Sequence, residues 1–268
     1  MKNVKVILLA ALLLLPLGLA FAGPSTEMAR HGAKTIKGVV VPLKPTLYKK
    51  SLSESEMLAI INSEKGLLPV LVNADGAFLD EDQKARVVAA AVAQVKAKNN
   101  HRAHYNAAIV YATYPYKLGL DEEWRLGASD AANAIRHATI ALNLSSDTPE
   151  NVPYMYLVRG NVKADQGMGY DMREATMTVR DRKYAQEALA DLQEVERLAP
   201  KLAPYYQMAS LARVLGKKEL SAKYQRLEQE KSEREAREKA AQRKAEKERS
   251  QHRVKRGLFR SVMWGRVD

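Results

Sequence analysis

The chain of 268 residues contains no cysteine, which excludes disulfides, thiolate chemistry and a lipid-carrying cysteine. It also has no Gly-rich phosphate loop, no nucleophile elbow and no His-Glu-x-x-His pattern. The signatures of phosphate binding, acyl transfer and zinc hydrolysis are therefore missing. The apolar run Val6 to Leu15 is interrupted by Pro16 and Gly18, short of the ~20 residues a membrane helix needs. Histidines are few: His31, His101, His104, His137 and His252. Of these, His101 and His104 are spaced to face the same way on a helix. Without a clear third ligand they fall short of a closed zinc site. The acidic run Asp121-Glu122-Glu123 reads as loop surface. The expectation is a protein that is not an enzyme and holds no metal or cofactor.

What is present begins with an export signature. Met1 to Lys5 is basic, Val6 to Leu15 is apolar, and Leu19-Ala20-Phe21-Ala22 ends in small residues. That order predicts a signal peptide over residues 1–22 with cleavage after Ala22. The expected location is the periplasm or cell envelope of a bacterium, or its exterior. The formal net charge is +12; Lys2 and Lys5 lie in the signal, leaving +10. From Lys217 to Asp268 there are seventeen Lys and Arg against nine Asp and Glu, a net +8. The body from Gly23 to Gly216 thus carries only about +2. The basicity belongs to the tail.

Residues 23–79 read as a leader, either irregular or laid over the first helices, with one short strand candidate, Val39 to Val41. Pro42 and Pro45 argue against a central strand. A helix is predicted from Glu54 to Ile61, capped by Ser53 and stopped near Gly66. Leu67 to Val72 is either a strand or a buried connector, followed by the turn Asn73 to Gly76. From Asp80 the period is helical, with Val87, Val88, Ala91, Val92 and Val95 on one face. A second helix, about Arg102 to Tyr114, stops at Pro115, and Gly119 to Glu123 is a loop. A third, from Ser129 or Asp130 to Leu144, carries the stripe Ala131, Ala134, Ile135, Ala138, Ala141, Leu142. Ser145 to Pro153 is a connector.

The central stretch runs Tyr154-Met-Tyr-Leu-Val-Arg-Gly160 to Gly167, then Ala185 to Pro200, then Tyr205 to Gly216. These are short amphipathic helices with small residues where two helices approach, ended by Gly or Pro. An Arg-Gly pair midway along a first helix and Ala-Leu…Leu-x-Pro closing a second resemble tetratricopeptide repeats. The likeness spans roughly Ala103 to Gln229. It implies that Gly160 packs against Ala188, that Leu192, Val195 and Leu198 are apolar repeat positions, and that Pro200 closes the unit. A following unit carries Tyr205, Met208, Ala209, Ala212, Gly216, then Leu220, Ala222, Tyr224 and Leu227. An earlier, weaker one carries Tyr105, Ala108, Ala112 and Gly119, then Ala134, Ala138, Ala141, Leu142 and Leu144. The middle unit departs from the pattern by an insert, Met168 to Lys183, read either as a loop or as an N-terminal extension of the second helix from Asp171. The implied fold is all-α: stacked helical hairpins over residues 80–229 forming a short solenoid, with a long polar C-terminal helix. By the same resemblance first-helix residues line a groove for a protein or peptide. Tyr154, Leu157, Asn161, Tyr206, Ser210 and Arg213 would lie there, the alternative being that the tyrosines pack between units.

From 230 to 256 the chain is Glu, Lys, Arg, Gln and Ala, a polar helix or a disordered arm. Residues 257–268 change again: Leu258, Phe259, Val262, Met263 and Trp264 recur at helical spacing among Arg256, Arg260 and Arg266. The residues expected to dock are Arg256, Leu258, Phe259, Arg260, Met263 and Trp264. Two functions follow. One is an exported scaffold that binds a protein or peptide partner through its groove. The alternative is a peripheral envelope tether that binds anionic membrane or wall polymer through its basic tail. Nucleic acid fits the charge, but export makes it the poorer partner.

Overall fold

The computed structural model describes residues 34–36, 39–48, 52–63, 65–71, 79–113, 126–146, 148–171 and 176–264. The expected signal segment, the Asn73 to Gly76 turn and the loop with Pro115 and Gly119 lie outside them. Among the described residues the protein is all-α, with three two-stranded ladders added. The helices are α1 (Glu54–Asn62), α2 (Glu81–Lys98), α3 (His101–Ala112), α4 (Ala128–Asn143), α5 (Val152–Gly167), α6 (Arg182–Leu198), α7 (Tyr205–Val214) and α8 (Lys218–Trp264). Each packs on the next in sequence, and α3 also reaches α5.

Local chemistry sets the starts. Ser53 and Glu56 form a reciprocal capping box at α1, and Asp80 and Gln83 do the same at α2. Each satisfies exposed amides that the first turn would otherwise leave without partners. Asn100 caps α3 and Asp181 caps α6. Helix α1 ends at Ser63, ahead of the expected stop at Gly66.

The N-terminal leader is laid over the first helices. Strands β1 (Lys34–Ile36) and β2 (Val39–Val41) pair antiparallel, and β3 (Leu47–Tyr48) runs parallel to β4 (Val70–Leu71). Val41, Leu52, Met57, Ile60, Ile61, Leu67, Leu68 and Val70 are buried in the same core as the later helices. Buried Asn106 on α3 ties this segment down. Its Oδ1 accepts from the Leu68 amide at 2.9 Å and its Nδ2 donates to the Gly66 carbonyl at 3.1 Å.

The insert between α5 and α6 corrects the sequence reading. It is neither an irregular loop nor more helix but a β-hairpin, β5 (Met168–Asp171) against β6 (Thr176–Val179). Thr176, Thr178 and Val179 favour extended backbone, and Asp181 then caps α6 at its own start rather than near Asp171. The contact between α5 and α6 also differs in detail. A Cβ on Gly160 would sit 2.7 Å from Leu192 Cδ2 and 3.3 Å from Asp191 Cβ, so Leu192 and Asp191 are the residues nearest to it. A Cβ on Gly167 would strike the Ala185 backbone. Two glycines two turns apart on α5, facing Leu192 and Ala185 of α6, let these helices approach closely.

At the next turn Gly216 takes φ +76, a left-handed conformation that glycine adopts without a Cβ penalty. Helix α8 then returns along α7 with Ser221 and Tyr224 buried and Leu220 and Leu227 partly so. Ala222, expected on this face, is exposed. From Ser232 to Arg249 every residue except Glu235 is exposed.

Candidate functional site

The expected groove residues separate by burial. Leu157 is buried in the core, and Ser210 is buried as well, so neither side chain has surface to offer a partner. Tyr154 is half-buried and packs against the core, beside Tyr105. Burial, then the neighbouring Tyr154, holds the Tyr105 phenol well above its ordinary range; burial raises Tyr154 too. Asn161 is half-buried, and its Oδ1 is shielded from solvent with no hydrogen-bond partner. Tyr206 and Arg213 are exposed. They lie seven residues apart on α7 and therefore on one line of the helix.

Helix α7 presents Tyr206 because its other side is fully engaged. Tyr205, Met208, Ala209, Leu211 and Ala212 are buried. Tyr205 stacks on Tyr224 of α8 with ring centroids 6.2 Å apart. Lys231 closes this seat, donating to the Ala203 carbonyl at 3.0 Å and lying over the Tyr205 ring. Tyr206 is left 70% exposed. Strand β6 packs against α7, and its Val179 is exposed as well. An aromatic ring, an arginine and an apolar strand residue are thus carried by two elements in contact. The hairpin's share of this surface was missed in sequence because Thr176 to Val179 lies in an insert with no repeat position to assign.

Two buried polar networks were also missed. Between α5 and α6, Arg159 grips Asp191 with two hydrogen bonds of 2.9 and 2.7 Å. Lys163 lies 3.0 Å from Asp191 and 3.1 Å from Glu187. Arg159 also donates to Thr139 Oγ1 of α4 at 3.0 Å, so three helices meet at one guanidinium. Two cations against two carboxylates leave the cluster neutral, with no spare charge for a ligand. Its chemistry is that of a clasp.

The second network links α2, α3 and α4. His104 and His137 face one another with 2.8 Å between their Nδ1 atoms. Asn99 presents an oxygen 2.9 Å from His104 Nε2, so that nitrogen carries the proton and His104 Nδ1 accepts. His137 Nδ1–H therefore donates, and its Nε2 accepts from Arg136 across 3.4 Å. Tyr111 stacks on His137. Burial, then His104 and Arg136, pushes His137 down to about 4; burial and Arg136 lower His104. The pairing of His101 with His104 considered from sequence gives way to His104 with His137. Among the described residues no group of three or more His, Cys, Asp or Glu is placed to hold a metal.

The tail residues Arg256, Leu258, Phe259, Arg260, Met263 and Trp264 all fall on α8, which continues as helix to Trp264. Among the described residues no helix is long and apolar enough to cross a membrane.

These features define a class by architecture: a stack of consecutive helical pairs, with a two-stranded hairpin packed against the helix that carries exposed Tyr206. Compared with protein-family models, with curated proteins and with solved structures, the chain matches none of them.

Proposed function

We propose that the protein is an exported, non-catalytic scaffold of tetratricopeptide type, its hairpins stacked as a short solenoid, that holds a protein or peptide partner in the bacterial cell envelope. The observation that carries this reading is Tyr206, 70% exposed on a helix that is otherwise well seated. Tyrosine and arginine are the residue types that most often anchor protein interfaces, and a rigid helix presents them at little ordering cost. Exposed Tyr206 and Arg213, with Val179 on the adjoining hairpin, form the working surface; half-buried Tyr154 and Asn161 contribute on α5. Export rests on the residue order of Met1 to Ala22.

The test is crosslinked capture from intact cells with three forms: the full chain, a Tyr206→Ala/Arg213→Glu variant, and a chain ending at Gln229. The proposal expects one defined set of proteins with the first and third forms and its loss with the second. The substituted side chains are exposed, so thermal stability should move by less than about 0.5 kcal/mol. Capture that disappears with the tail, leaving only lipid or wall material bound to the full chain, would overturn it. Amino-terminal sequencing of the exported form should begin at Gly23.

A further inference from the structure

Helix α8 changes character along its length. From Lys217 to Glu238 the chain has seven basic against six acidic residues; from Lys239 to Asp268 it has ten against three. The balanced part is the one that touches the body. Its buried or half-buried residues, Tyr224, Leu227, Glu228, Lys231 and Glu235, recur every three to four positions as a single ridge. Beyond Glu235 the helix leaves the body, and the excess positive charge begins almost at that point.

The far end carries a second chemistry. Helical spacing places Val254, Leu258 and Val262 along one line, with Phe259 and Met263 beside it. Arg253, Arg256 and Arg260 fall on the other side of the same turns together with Trp264, while Lys255 falls within the apolar arc. Nothing in the solvated shaft from Ser232 to Arg249 has this pattern, since it contains no apolar residue larger than alanine. A basic helix with a broad apolar arc, crossed by one lysine whose flexible stem can reach outward and flanked by arginines and tryptophan, combines the two features that hold a helix in the interface of an anionic bilayer. On such a surface the apolar arc would enter the headgroup boundary and the arginines would meet lipid phosphates.

We infer that residues Arg253 to Trp264 form a docking segment for an anionic phospholipid surface, held away from the body by the polar shaft of α8. From Ser232 to Trp264 the shaft and tip span about 50 Å at 1.5 Å per residue. A lipid surface is favoured over a protein partner by charge complementarity. The excess is spread over thirty residues of sequence rather than gathered in one cluster, as suits a diffuse negative surface. This docking is independent of the surface around Tyr206.

The test uses Trp264 as its own reporter. The only other tryptophan, Trp124, is replaced by Trp124→Phe. The chain is then titrated with vesicles of phosphatidylcholine alone, with vesicles containing phosphatidylglycerol, and with soluble polyglutamate. The readout is local to the tip, so any vesicle binding by the apolar run Val6 to Leu15 does not contribute to it. The expected result is a blue shift of Trp264 emission with anionic vesicles only. Arg256→Gln with Arg260→Gln should weaken that binding roughly 30-fold, and added salt should weaken it further. A shift of equal strength with neutral vesicles, a response to polyglutamate alone, or no shift with any probe would each overturn the inference. The capture set at Tyr206 should be unchanged in the arginine variant, so failure here and failure of the scaffold reading are separate results.

Discussion

Helices α5 and α6 and the outer part of α8 are both rich in arginine, lysine and carboxylates, and they use them to opposite ends. Between α5 and α6, Arg159 and Asp191 meet with side chains 17% and 7% exposed, at 2.7 Å. On α8, Arg237 and Glu233 meet at 3.7 Å with side chains 83% and 52% exposed. The first pair is shielded from water and shares Asp191 with Lys163. The second remains solvated and competes with water at every moment. Burial, rather than the count of ion pairs, decides which charges hold the molecule together.

The comparison breaks most sharply at Asp191. Replacing it with alanine leaves Arg159 and Lys163 facing each other without their shared carboxylate. The expected loss is about 3–5 kcal/mol, read as a lower midpoint in urea. The His104–His137 pair gives a second, smaller effect. Both imidazoles are held neutral in the folded protein, whereas the unfolded chain takes up protons near the ordinary value of about 6.5. Stability is therefore full above that pH and is lost progressively as pH falls toward about 4, by on the order of 2 kcal/mol. Denaturation at a series of pH values should show this slope, and His137→Gln should flatten it. Ending the chain at Gln229 removes the Lys231 contact and the whole shaft, yet should cost the body no more than about 1 kcal/mol. A thermal scan by circular dichroism would show lost helical signal with a nearly unchanged midpoint. Arg237→Ala closes the series at a few tenths of a kcal/mol.

The helices were legible because their signals are local. Ser53 with Glu56, and the alanine stripe from Ala131 to Ala141, name their elements within a few positions. The close approach of α5 and α6 was readable in Gly160, whose nearest neighbours across the contact are Leu192 and Asp191. The hairpin of Met168 to Val179 was not readable, since its methionines and arginines sit in no clear alternation. In the sequence His137 stands only as one of five histidines; the fold brings His104, thirty-three positions earlier, to its ring. Lys163 and Asp191 were hidden for the same reason. A charge reads as surface until its counter-charge on another helix is known. Of the expected groove residues, Tyr206 and Arg213 are the exposed ones. Ser210 shares α7 with exposed Tyr206 and Arg213, and Leu157 shares α5 with half-buried Tyr154 and Asn161; each is buried by what packs over it.

The seat of α8 has a mechanical consequence. The helix is continuous from Lys218 to Trp264, and its grip on the body ends near the Tyr205–Tyr224 stack and Lys231. It is therefore a lever with a short inner arm and a long outer one. A tilt of about 10° at that fulcrum would sweep the far end through roughly 9 Å, taking 1.5 Å of rise per residue. A repacking of two tyrosine rings too slight to disturb the core would be geared up into a displacement nearly the width of a helix.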